Sequence, residues 1–128
     1  MAEEFELTTE MRPSGGGEIA VVRAVGDVDL ATSDQLAAEL ASDACRAGAG
    51  VVLDLSEVPF MDSSGLRAVL VSIEELDCPL AAVIAPGSAV ARLIEVTEVG
   101  PLLASYPTQE EALAALPEIG SAGEEGGK

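Results

Sequence analysis

From residue 19 onward, short apolar runs alternate with stretches whose apolar residues recur every three or four positions, and few folds accept that alternation. "IAVVRAV" (19–25) is rich in β-branched residues and reads as a strand, which "GDVD" (26–29) ends. From Thr32 the period changes: Leu36, Leu40 and Ala44, with Ala37, Ala41 and Cys45 beside them, fall at helical spacing. Thr32 or Ser33 suits the N-cap of that helix, and "AGAG" (47–50) stops it. "VVLDL" (51–55) is apolar enough for a strand inside a sheet. Leu66, Val69, Leu70, Ile73 and Leu76 then mark an amphipathic helix over 64–76, with Arg67, Glu74 and Glu75 outward.

The same alternation runs to the end of the chain. "LAAVIA" (80–85) is a short buried strand, and "PGSAVARLIEV" (86–96) gives a loop and then a helix with Val90, Leu93 and Ile94 inward. "LLASY" (102–106) is a last strand, and "TQEEALAAL" (108–116) is a helix opened by a capping box of Thr108 and Glu111. At the other end, "EFELTTE" (4–10) alternates weakly and suits an edge strand, and "RPSGGGE" (12–18) reads as a turn or loop. The expected architecture is one α/β domain over 1–117. It has a mixed, partly parallel central β-sheet of about four to five strands flanked by about four α-helices. Residues 118–128 read as an acidic, disordered tail.

Charge and inventory exclude most chemistry. The net charge is −17, from 23 acids against 6 bases, so phosphate backbones and anionic membranes are repelled. Neither a nucleic acid nor a membrane is an expected partner, and Phe5, Phe60 and Tyr106 offer bases little to stack on. A serine nucleophile needs a basic neighbour, but there is no His and the only Lys is Lys128, which argues against an enzyme of that kind. Neither a phosphate-binding GxxxxGK[ST] nor a GxGxxG after a strand is present, and no cofactor is expected. Cys45 and Cys78 form no CxxC pattern and read as small buried thiols. Asp27, Asp29 and Asp62 read as solvated turn acids rather than a Mg²⁺ site, so no metal is expected. "MAEEFELTTE" is acidic and lacks the apolar stretch of a signal peptide, and the expected location is the cytoplasm.

One junction is richer than structure alone requires. In "PFMDSSGLRAVL" (59–70), two serines stand between an acid and a glycine, after a strand and before a helix. Asp62, Ser63 or Ser64 can cap that helix, for about 1 kcal/mol. Capping accounts for one polar side chain, not three. A serine at a helix N-terminus is also a suitable phosphate acceptor, because free amides and the positive end of the helix dipole can receive the new charge.

"FMDSSGL" (60–66) resembles the signature of the anti-sigma factor antagonists, the bacterial STAS-domain family. "GDVDLATSDQL" (26–36) is similar to the family's other marker, and the likeness of element order covers about residues 5–117. The resemblance implies a single STAS-like domain and a partner-switching role. An anti-sigma factor that is also an ATP-binding serine kinase holds a sigma factor inactive. The unphosphorylated antagonist binds that kinase and frees the sigma factor. Phosphorylation blocks binding, and a PP2C-type phosphatase resets the cycle. The residue directly after the Asp is the acceptor, which is Ser63 here, with Ser64 supporting the helix start. Asp27, Asp29, Thr32, Asp62, Ser64, Gly65 and Arg67 would form the partner-binding surface. Arg67 departs from the commoner pattern, which has Gly after the Leu, and stands one helical turn from Ser63. The alternative is a STAS-like accessory scaffold of a lipid or solute transport system, with no phosphorylation.

Overall fold

The chain opens on a hairpin longer than local composition suggests. In a computed structural model that describes residues 5–14 and 17–126, with side chains through Pro117, strand β1 (Glu6–Ser14) pairs antiparallel with β2 (Gly17–Val25). Register runs from Glu6↔Val25 to Ser14↔Gly17. The loop expected over 12–18 is corrected to strand on both sides, with residues 15–16 outside the described ones. Pro13 is tolerated because β1 is an edge strand, where a missing N–H need not break a ladder.

β2 pairs parallel with β3 (Gly50–Glu57), β3 with β4 (Leu80–Val83), and β4 with β5 (Ser105–Tyr106). The sheet order is therefore β1-β2-β3-β4-β5, a mixed five-stranded sheet with one antiparallel pair, as the strand–helix alternation predicts. β3 is buried from Gly50 through Leu55, as a central strand covered on both faces must be. The last two strands are shorter than expected: β4 ends at Val83 rather than at residue 85, and of 102–106 only Ser105–Tyr106 pairs, Leu102 closing the 3-10 turn Gly100–Leu102.

Between the strands lie α1 (Ser33–Leu40), α2 (Asp43–Ala47), α3 (Ser63–Glu75) and α4 (Ala89–Thr97). The single helix expected from Thr32 to Cys45 is divided, because Ser42 takes an extended conformation (φ −67°, ψ 162°) and α2 restarts after it. Leu36, Leu40, Cys45, Leu66, Val69 and Val90 from these helices join Ala20, Val22, Leu53 and Ala82 of the sheet in the larger core. Leu70, Ile73, Leu76, Leu93 and Ile94 are half-buried against it, so both predicted inner faces stand.

The final helix, α5 (Gln109–Gly126), crosses to the other face, where Ala112 and Leu116 cover Ile19, Val21, Val52, Ala81 and Val83. It is fixed by the buried Asp54 carboxylate, which accepts from Gln109 Nε2 at 2.7 Å. Thr108 Oγ1 accepts the Glu111 amide at 3.2 Å, the threonine half of the expected capping box. Residues 118–126, expected as disordered tail, are helical backbone continuing α5, while 127–128 lie outside the described residues. Pro117 sits inside this helix; a proline removes one hydrogen bond and kinks a helix without having to end it.

Cys45 is buried and Cys78 half-buried, and the Cys78 thiol donates to the Cys45 carbonyl at 3.7 Å. Burial pushes both thiols up, which keeps them protonated at neutral pH. No helix among the described residues is long and apolar enough to cross a membrane.

Burial depth orders the expected losses. Leu36→Ala, at a fully buried site on α1, should cost about 2–5 kcal/mol. Leu70→Ala, on the half-buried shoulder of α3, should cost less than Leu36→Ala. Urea unfolding of both variants checks the order; an equal or greater loss at Leu70 would reverse it.

Candidate functional site

The site forms where two strands outrun the sheet. β2 and β3 shift register between Arg23 and Val25, so that Val25 aligns with Glu57. Gly26 then turns at φ 107°, a conformation that favours glycine, while its amide still reaches the Glu57 carbonyl at 3.2 Å. Beyond this bend the two segments meet again in an isolated parallel bridge, Val28↔Met61. The Val28 amide donates to the Phe60 carbonyl at 2.9 Å, and the Asp62 amide to the Val28 carbonyl at 3.1 Å.

Val28 and Met61 are both buried, so their extended neighbours turn outward. That alternation sets Asp27 and Asp29 beside Phe60 and Asp62, on the side of the bridge away from the core. Asp27 is exposed, and Asp29 and Asp62 are half-buried. Main-chain pairing thus puts Asp27 and Asp29 in register with Phe60 and Asp62. Among the described residues no group of three or more His, Cys, Asp or Glu is placed to hold a metal ion.

Asp62 begins α3. One carboxylate oxygen, Oδ1, accepts the amides of Ser64 at 2.9 Å and Gly65 at 3.2 Å. Of the three capping candidates, the acid is thus the cap, and Ser64 contributes its amide rather than its hydroxyl to the helix start. These two amides are occupied by Asp62, so they are not free to receive a phosphate as the sequence alone suggested. Ser63, the first helical residue, is exposed. Arg67, one turn later, is exposed and makes no ion pair among the described residues.

Gly65 is buried, so its contribution is packing rather than contact with a partner. A Cβ at Gly65 would stand 2.6 Å from Val28 Cγ1 and 2.9 Å from both Met61 Cγ and the Val28 carbonyl. Only glycine lets the start of α3 rest directly on the bridge, and that contact fixes where Ser63 emerges.

Thr32 occupies the N-cap position of α1 but makes no side-chain cap bond. Its hydroxyl donates to the Asp27 carbonyl at 2.8 Å and accepts the Asp29 amide at 3.0 Å. In return, Asp29 Oδ1 accepts the amides of Ala31 at 3.0 Å and Thr32 at 3.2 Å. This reciprocal pairing resembles a capping box shifted one turn before the helix, and it holds Asp27 and Asp29 in place. Sequence reasoning did not single out Leu30 and Phe60, both exposed on these same segments. The signal available was alternation: with Val28 and Met61 inward, Phe60 has to face out.

Comparison with known proteins places these features in a wider set. The model of the STAS domain matches residues 12–112. An anti-sigma factor antagonist from Mycobacterium paratuberculosis is similar over 88% of this chain and 95% of its own, at 28% identity and TM-score 0.74. The anti-sigma factor antagonist SpoIIAA in its unphosphorylated form is similar over 91% of this chain and 100% of its own, at 24% identity and TM-score 0.61. The Bacillus cell fate determinant SpoIIAA in its phosphorylated form is similar over 87% and 97%, at 23% identity and TM-score 0.56. The likeness to SpoIIAA is one of fold. No curated protein matches the chain.

The junction divides into separable parts. Asp62→Ala should cost about 0.5–2 kcal/mol through loss of the cap. Ser64→Ala should stay within about 0.5 kcal/mol of wild type, since its hydroxyl is not the cap. Gly65→Ala should cost about 1–3 kcal/mol, because Val28 and Met61 must yield. Thermal and urea unfolding of the three variants check this order; a larger loss for Ser64→Ala than for Asp62→Ala would transfer the cap to the serine.

Proposed function

This chain belongs to the STAS domain family, and on that premise we propose that it is an anti-sigma factor antagonist in a partner-switching pathway, working in the cytoplasm as a binding regulator rather than an enzyme. Unphosphorylated, it binds an ATP-dependent serine kinase that doubles as an anti-sigma factor, and so releases a sigma factor. Ser63 is the phosphorylated residue. The observation that supports this reading is the exposure of Ser63 at the first position of α3, directly after Asp62, whose amide pairs with the Val28 carbonyl between Asp27 and Asp29.

In the proposed step, Ser63 Oγ attacks the γ-phosphorus of ATP as the bond to the β–γ bridging oxygen breaks. ADP leaves, and the serine proton passes to a base of the kinase. A PP2C-type phosphatase hydrolyses the ester and returns inorganic phosphate. The product adds about −1.5 to −2 charges beside Asp62. The amides of Ser64 and Gly65 are already engaged by that carboxylate, so they offer the phosphate little compensation. Among the described residues, Arg67 is the cation that helix spacing brings within one turn of Ser63. The added charge therefore acts by repelling a docking partner rather than by refolding the domain.

Before modification, the acids favour a partner with a basic contact face and speed its approach. Thr32, Asp29 and Asp62 fix the shape of that face, and Gly65 fixes its depth.

Incubation of purified protein with candidate kinases and labelled ATP, with mass spectrometry to locate the phosphate, tests the reading. Wild type and Ser64→Ala should be labelled, and Ser63→Ala should not. Ser63→Ala should still bind the kinase, while Ser63→Asp should bind about tenfold more weakly or worse, since like charge at an interface is costly. Label on Ser64 instead would reverse the assignment. If no variant is labelled and Ser63→Asp binds normally, the scaffold role in a transport system becomes the better reading. Asp27→Asn should slow association severalfold at low salt and little at high salt, with an unchanged melting temperature. A salt-independent association rate would remove the acids from the docking step.

A further inference from the structure

We propose that Leu30 and Phe60 are the apolar anchors of this docking face, and that the partner seated on them is a protein carrying an apolar pocket ringed by Arg and Lys. The inference rests on the reading of the Ser63 surface given above.

Single exposed apolar residues are ordinary on protein surfaces. These two differ in position. Leu30 is 77% exposed and directly follows Asp29; Phe60 is 47% exposed and lies two residues before Asp62. The Val28↔Met61 bridge sets Asp27 in register with Phe60 and Asp29 with Asp62, and Leu30 follows Asp29 in the turn that leads into α1. Val28 and Met61 fill the core below, and the hydrogen bonds of the 27–32 turn run through Asp27, Asp29 and Thr32 rather than Leu30. An exposed Phe among acids is costly to leave in water and useful once covered.

The two kinds of residue suit different stages of binding. Carboxylates act at a distance and raise the association rate, in a salt-dependent way. Large apolar side chains act only after contact, when water leaves, and they govern dissociation. The same surface excludes other occupants. A nucleic acid or an anionic membrane would meet Asp27, Asp29 and Asp62 first. A phosphate on Ser63 would then place charge beside the anchors, where a seated partner would have to strip it of water.

The test uses a panel of purified ATP-binding anti-sigma factor kinases and keeps the one that binds the full chain best. Association and dissociation rates are measured at low and high salt. Leu30→Ala and Phe60→Ala should each raise the dissociation rate about tenfold or more at both salt concentrations. Their association rates should change by less than about threefold. Phe60→Leu should recover most of the loss, and its use also covers the case in which Phe60→Ala folds poorly. Asp27→Asn should show the opposite pattern, with slower association and little change in dissociation. Dissociation within about twofold of wild type for both alanine variants would overturn the anchors. Normal binding by Ser63→Asp would instead reject the phosphorylation switch, and the dissociation rates would still decide the anchors. A panel in which no kinase binds wild type would reject both.

Discussion

The parallel bridge between Val28 and Met61 is the contact on which the rest of the site depends. It lies beyond the sheet proper, after a register shift in β2 and a glycine bend at Gly26. Two hydrogen bonds hold it, both close to ideal length, and both side chains are sealed in the core. Because the pairing is parallel and extended, burying residues 28 and 61 forces residues 27, 29, 60 and 62 outward together. A shift of one residue in either segment would bury an acid and expose a core side chain, so hydrophobic burial itself enforces the surface.

The helix that follows is seated on this bridge rather than beside it. Gly65 is the reason, since any Cβ there would collide with Val28. The same seating brings Asp62 to the helix N-terminus, where its carboxylate satisfies two otherwise unpartnered amides. This resolves a competition between two roles for a helix N-terminus. Such an end can bind a phosphate or a capping acid, and here the acid holds the position. In the proposed switch, this makes phosphorylation a change of surface charge imposed on a rigid frame. It also separates the labour of neighbouring residues: the acid and the glycine position, and the exposed serine is free for chemistry.

The sheet accounts for why such a frame is available at all. Strands β2, β3 and β4 run parallel in sequence order, so the chain repeatedly returns from helix to strand on one side and leaves its loops at the carboxyl ends. The α5 helix covers the opposite face, anchored by the Gln109–Asp54 hydrogen bond at 2.7 Å. With both faces covered, the carboxyl-end loops are the place where polar and charged side chains can gather without cost to the core. The three acids, Ser63 and the exposed pair Leu30 and Phe60 all stand on such loops or at the helix start next to them.

Periodicity alone was enough for the alternation of strand and helix in a mixed sheet of about four to five strands, for the inner faces of α3 and α4, and for Thr108 as a capping residue. These are local properties, fixed by spacing of three to four or of two residues and by side chains that reach only their own turn. The acids Asp27, Asp29 and Asp62 and the serine pair stand out by residue type at the ends of predicted strands, whereas the choice of Ser63 over Ser64 came from the family resemblance and not from spacing. What the sequence could not decide was anything that depends on a second segment. Strand pairing extended β1 and β2 through residues read as loop, and an extended Ser42 divided a helix whose apolar spacing is continuous. The choice of Asp62 over the serines as cap, and the reassignment of Gly65 from surface to packing, follow from where α3 meets Val28. Position in space is a property of two segments in contact, and residue spacing along one of them does not contain it.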